Sequence, residues 1–116
     1  MFAFMSVTGL YAADITTISN AFASGSMTSL AANMDAEIDL ALQGKAQRKN
    51  VAEAIAQLNR FVETNKPTGF TVVHHADKKE SGFLVGKLVT GNGEFRVNVT
   101  YAIKNDKVII QSIRIE

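Results

Sequence analysis

Apolar and polar positions alternate with a period of two through residues 82–116, broken by two turn-forming stretches, Thr90-Gly91-Asn92-Gly93-Glu94 and Lys104-Asn105-Asp106-Lys107. Successive residues of a strand point to opposite faces, so the pattern predicts an antiparallel meander. Asn-Gly between two such runs is a strong hairpin signal, because the tight turn needs positive φ at both central residues. A two-residue turn at Asn92 and Gly93 places Leu88 opposite Val97 and Leu84 opposite Tyr101. A loop of Asn105, Asp106 and Lys107 places Ile103, Tyr101, Val99 and Val97 opposite Ile109, Gln111, Ile113 and Ile115. One face of this sheet, which also takes Gly86 and Phe95, is then apolar except for Tyr101 and Gln111. The other face mixes Phe83, Val85, Val89, Val108 and Ile110 with Lys87, Arg96, Asn98, Thr100, Ser112 and Arg114. A face so mixed suggests partial cover by a partner.

The first half of the chain reads as helical with one strand. Asp14 can cap a short helix whose Ile15, Ile18 and Phe22 follow a 3.6-residue period, with Gly25 closing it in the left-handed conformation. Ser26 opens a second helix with Met27, Leu30, Ala31 and Met34 on one stripe. Over residues 36–42 the period changes to two, with Ile38, Leu40 and Leu42 on one side and Glu37, Asp39 and Ala41 on the other, as in a half-buried strand. Residues 44–48 read as a polar link. Asn50 with Glu53 three positions on forms a capping pair opening the longest helix, whose buried stripe is Val51, Ala54, Ile55, Leu58, Phe61 and Val62. Pro67, the sole proline, ends it. Residues 70–76 are β-branched and aromatic enough for a further strand, followed by a charged turn at residues 77–80.

Composition narrows the function classes. A chain of 116 residues, 47% hydrophobic and 20% charged, suits a single domain with a modest core. Twelve basic against eleven acidic residues give a formal charge of +1, which provides no field for nucleic acid or acidic lipid. The absence of cysteine excludes disulfides, thiolate metal sites and cysteine nucleophiles. Residues 1–13 carry no charge and end on small residues, in the manner of a secretory signal peptide that lacks its basic start. Thirteen residues are too few to span a bilayer. The expectation is an exported protein, periplasmic or secreted, with residues 1–13 as a signal-peptide remnant and residues 14–116 as one domain without a membrane span.

The order of helix, helix, strand, long helix and four-stranded meander resembles the nuclear transport factor two-like, or cystatin-like, superfamily of α+β cones. Asp14-Ile15, Ile38-Asp39-Leu40, Val73-His74, the run from Gly86 to Thr90, Asn92-Gly93 with Phe95-Arg96-Val97, and the closing run from Ile110 to Glu116 are similar to a family of short exported bacterial proteins of unknown function in that superfamily. His75-Ala76 departs from the family pattern, which has a basic residue and glycine there. The resemblance implies about three N-terminal helices packed on a curved antiparallel sheet. It also implies a cavity between the long helix and the concave face, which superfamily relatives use for isomerase, dehydratase or ligand-binding work.

Candidate chemistry is sparse. No Asp, Glu or Lys from the last three strands points inward in the predicted register, which argues against acid–base catalysis in such a cavity. Tyr101, Gln111 and His74 are the candidate contacts for a small apolar ligand. Asp39, His74 and Tyr101 are the residues an isomerase-type enzyme would use as acid, base and orienter, although a solvent-facing Asp39 is the simpler reading. His74 and His75 are adjacent on a strand and point oppositely, so they cannot chelate one ion; His75 and Asp77 supply only two ligands, and no metal or cofactor is expected. One histidine is expected to pack inward. Phe83, Val85, Arg96, Asn98, Ile110 and Arg114 are the candidate interface, a convex sheet face on which two copies could meet, with Arg96 opposite Glu116 and Asn98 opposite Arg114. Lys45, Arg48 and Lys49 read as a solvated cluster too short for nucleic acid. The leading reading is therefore a non-enzymatic exported binding or interaction module, with the enzyme as the alternative.

Overall fold

The structure is a computed structural model and describes residues 11–105 and 107–116, with side chains from Ile15 onward. Helix α1 (Tyr11–Ser24) is followed by a 3-10 helix (Met27–Asn33), strands β1 (Met34–Leu42) and β2 (Lys45–Asn50), helix α2 (Val51–Asn65), and strands β3 (Pro67–Asp77), β4 (Ser81–Thr90), β5 (Gly93–Lys104) and β6 (Lys107–Ile115). Asp14 therefore lies within α1 rather than at its start, while Gly25 does close it, at φ +76°. Residues 1–10 of the expected leader lie outside the described residues, and Tyr11 to Ala13 belong to α1.

The second helix takes a period of three, burying Met27, Leu30 and Asn33, because its seven residues wind as a 3-10 turn. Asn33 satisfies itself there by donating from Nδ2 to the Val108 carbonyl at 2.9 Å. Helix α2 begins as its sequence suggests, with the Glu53 N–H donating to Asn50 Oδ1 at 2.9 Å. It ends on Lys66 in the left-handed conformation, φ 50°, just before Pro67.

The six strands form one sheet in the order β2-β1-β6-β5-β4-β3. The sheet is mixed rather than wholly antiparallel, because β1 runs parallel to β6. The stretch expected as a polar link is partly strand β2, an edge strand with exposed residues at five of its six positions. Such a strand buries no face and so shows no periodicity.

The β4–β5 hairpin turns at Gly91 and Asn92, with Thr90 paired to Gly93, Leu88 to Phe95 and Leu84 to Val99. Of the turn residues only Gly93 has positive φ, at 116°. The Thr90 hydroxyl accepts from the Asn92 N–H at 3.0 Å and donates to the Gly93 carbonyl at 2.8 Å, which stabilises this placement. Asn92 Nδ2 also donates to Asn65 Oδ1 at 3.0 Å and to the Thr64 carbonyl at 3.2 Å, fastening the hairpin to the end of α2.

Strand β6 departs from the predicted register at a bulge. Thr100 pairs with Ser112, but Tyr101 pairs with Ile110, leaving Gln111 as the extra residue. Val108 and Ile110 consequently turn inward with no exposure, Ile109 is half-buried and Gln111 is exposed. Ile110 is thus a core residue and not part of an outer interface.

One apolar core lies between the helices and the concave face of the sheet. Ile18, Phe22, Leu30 and Leu58 meet Leu84, Leu88, Val97, Val99, Ile110 and Ile113 there, all without exposure. No helix among the described residues packs on the opposite, convex face.

Candidate functional site

Two strand bulges shape the convex face. On β3, Val72 pairs with Gly86 and His74 with Val85, so Val73 is the extra residue and stands 66% exposed. Val73, Val85, Lys87, Glu94 and Arg96 line a hollow of about 340 Å³. Gln111, the bulged residue of β6, lines a second hollow of about 280 Å³ with Ala76, Lys78, Ser81, Phe83 and Thr100. Between the two, the His74 ring tilts against Phe83 at a centroid distance of 5.5 Å. Phe83, Val85 and Asn98 are half-buried, and Arg96 and Arg114 are exposed.

Charge is divided across this face. Toward β2, Arg48 bonds Asp39 at 2.9 Å and Glu37 at 3.2 Å. These carboxylates, Asp39 first, raise the Arg48 pKa above its ordinary value. Toward β4, Lys87 and Glu94 stand 4.0 Å apart. Arg96 exchanges both backbone hydrogen bonds with Glu116, at 2.8 and 3.0 Å, but the guanidinium makes no ion pair among the described residues. Asn98 pairs with Arg114 in the predicted register.

The sheet does not bring Asp39 and His74 together. Asp39 on β1 and His74 on β3 are four strand positions apart, roughly 19 Å at the usual strand spacing. Asp39 is exposed and held by Arg48. His74 and His75 are both exposed, so neither packs inward; β3 is an edge strand, and its bulge turns His74 onto the outer face. Among the described residues no cluster of three or more His, Cys, Asp or Glu side chains could hold a metal ion.

Tyr101 is only 1% exposed and its hydroxyl donates to Asp77 Oδ1 at 2.5 Å. Tyr101 is on β5 and Asp77 on β3, so the ring crosses β4 where Gly82 stands; a Cβ at Gly82 would lie 2.6 Å from Tyr101 Cε1. Burial first, and then the bond to Asp77, push the Tyr101 phenol far above its ordinary pKa. A phenol that is raised on folding keeps its proton longer in the folded chain, so this stabilisation is complete below about pH 10 and is lost as pH rises above it. Tyr101→Phe should therefore flatten the alkaline limb of stability, measured as urea unfolding between about pH 9 and 12. Equal slopes in the two proteins would show that Tyr101 does not carry it.

A third hollow, about 360 Å³, lies on the helix side between the β1–β2 turn and α2, lined by Leu42, Gln43, Gln57, Arg60, Phe61, Thr64 and Asn65. Neither Val73 nor Arg60 stands out in the sequence, because one is exposed by a bulge and the other becomes a wall of this hollow only once β1 and β2 have paired.

Helices on one face of a curved, mixed six-stranded sheet make an α+β fold of the nuclear transport factor two-like class. A protein of this class from Silicibacter pomeroyi, described as NTF-2 like and of unknown function, shares the fold at a TM-score of 0.69 and 13% identity, with 92% of each chain covered. More specifically, residues 15–116 match the domain of unknown function DUF4783, and the chain belongs to that family. It is similar to the DUF4783 protein of Bacteroides ovatus, at 34% identity and a TM-score of 0.81, covering 85% of this chain and 90% of that one. It is also similar to that of Bacteroides uniformis, at 32% identity and 0.83, covering 87% and 94%. No curated protein matches. No helix among the described residues is long and apolar enough to cross a membrane.

Proposed function

We propose that this protein is a non-enzymatic, exported interaction module whose working surface is the convex sheet face and whose partner there is a second copy of the chain. The observation that carries the reading is that two of the sheet's bulged residues, Val73 and Gln111, line hollows on that face. Bulges re-aim side chains and are enriched where a sheet does something other than pack. Six strands of about nine residues make a face of roughly 850 Å², close to one side of a standard interface. Glu37 and Asp39 outnumber Arg48 toward one end, and Lys87, Arg96 and Arg114 outnumber Glu94 beyond them, so two faces related by a two-fold axis would oppose unlike net charges. Export rests on the uncharged apolar character of residues 1–13.

The test is recovery of the whole chain from a bacterial host followed by sedimentation. The protein should leave the cytoplasm and sediment as a dimer, and Val85→Glu, at a half-buried position, should raise the dimer dissociation constant about a hundredfold with little change in monomer stability. Cytoplasmic retention would overturn the address, and a monomer at high micromolar concentration would overturn the interface.

A further inference from the structure

The hollow beside Arg60 stands apart from the convex face, and its lining is chemically one-sided. Gln43, Gln57, Thr64 and Asn65 supply amides and a hydroxyl, Leu42 and Phe61 supply apolar wall, Arg60 is the one ionisable side chain, and no carboxylate lines it. Asn65 is committed to structure, donating to the Phe61 carbonyl and accepting from Asn92, and Gln57 spends one amide N–H on Gln47 Oε1 at 3.5 Å, keeping its second N–H and its carbonyl. The Arg60 guanidinium makes no ion pair among the described residues, whereas Arg48 makes two. The protein thus has a guanidinium at a concave surface with neutral partners around it.

Gln43 points the same way from an independent direction. It occupies the first position of a two-residue turn with Gly44, at φ 51° and 93°, where Leu42 pairs with Lys45. That position favours Asn, Asp or Gly, whose backbone tolerates the left-handed region. A glutamine there is strained for its turn, and the residue lines the hollow.

We infer that this hollow binds a small organic monocarboxylate, with the Arg60 guanidinium pairing the carboxylate, Gln43 and Gln57 hydrogen-bonding beside it, and the apolar body of the ligand lying against Leu42 and Phe61. A planar guanidinium matches a carboxylate with two parallel hydrogen bonds. The volume suits a single ring or a short branched chain. The hollow is walled by the C-terminal half of α2, whose dipole presents partial negative charge and opposes a dianion such as phosphate more strongly than a monoanion whose charge one arginine can match.

The experiment is a titration of the ¹⁵N-labelled full chain with benzoate, benzamide and inorganic phosphate. Benzoate should shift the side-chain amides of Gln43 and Gln57 and the Arg60 Nε–H saturably, and bind about tenfold or more tighter than its neutral isostere benzamide. Arg60→Gln, at an exposed helix position, should abolish that difference with the spectrum otherwise intact. Gln43→Asn, which suits the turn better, should weaken benzoate while raising the melting temperature. Equal binding of benzoate and benzamide, retention of benzoate binding by Arg60→Gln, or shifts that do not saturate would each overturn the site; phosphate binding as tight as benzoate would overturn the monocarboxylate assignment.

Discussion

Replacing Ile110 by Asp should leave the chain unfolded in water at 25 °C, while the same change at the neighbouring Ile109 should cost about 1–2 kcal/mol and leave a folded protein. Ile110 has no exposure and packs in the core beneath the 3-10 helix, whereas Ile109 is half-buried. An unpaired carboxylate at Ile110 either stays ionised in an apolar interior or takes up a proton against solution pH, and the loss of the isoleucine adds to either cost. A total above about 5 kcal/mol exceeds the stability of many domains of this size. Far-UV circular dichroism and urea unfolding of the two variants measure the contrast. Should the Ile109 variant be the damaged one, the bulge between Thr100 and Tyr101 would be wrong, because a regular ladder exchanges the two side chains between faces.

That bulge marks the limit of what strand periodicity reveals. The β4–β5 turn lies one residue earlier than Asn92-Gly93 suggests, so Leu88 faces Phe95 instead of Val97. A slip of two in partner number preserves every face, and Leu84, Leu88, Val97 and Val99 are all inward as the alternation implies. In β6 the extra residue changes parity, and the inward set becomes Val108, Ile110, Ile113 and Ile115. The three-residue step from Ile110 to Ile113 is the trace of the bulge, but the unbroken Val108-Ile109-Ile110 run conceals it, since either parity gives an apolar inner face.

The candidate surface was legible to the same extent. Phe83, Val85, Arg96, Asn98 and Arg114 share the convex face because their parity is set by local alternation in β4, β5 and the regular part of β6. Val73 belongs with them only because β3 bulges, which a run of β-branched residues does not announce. The distance between Asp39 and His74 depends on β1 joining β6, a parallel pairing between strands some seventy residues apart in the chain, and such non-local choices leave no mark on local sequence.

Gly86 provides the sharpest test of how the sheet meets the helices. A Cβ there would lie 2.1 Å from Phe70 Cζ and 2.6 Å from Cε1, so Gly86→Ala forces the ring away. The ring is not free to yield, because it stacks on Phe22 of α1 at 5.2 Å and 27°. Overpacking of this kind costs about 1–3 kcal/mol, and the broken aromatic pair adds about 0.5–1.5 kcal/mol. The expected loss for Gly86→Ala is therefore about 2–4 kcal/mol by urea unfolding. Phe70→Ala is destabilising alone because it strips cover from Phe22, but it vacates the space above Gly86. In that background Gly86→Ala should be neutral or slightly stabilising, since alanine loses less backbone freedom on folding than glycine. The double-mutant cycle should then give a coupling of about 2 kcal/mol or more, whereas additive losses would mean that the ring moves without cost and that Gly86 serves the strand's own conformation rather than the aromatic contact that joins α1 to the edge of the sheet.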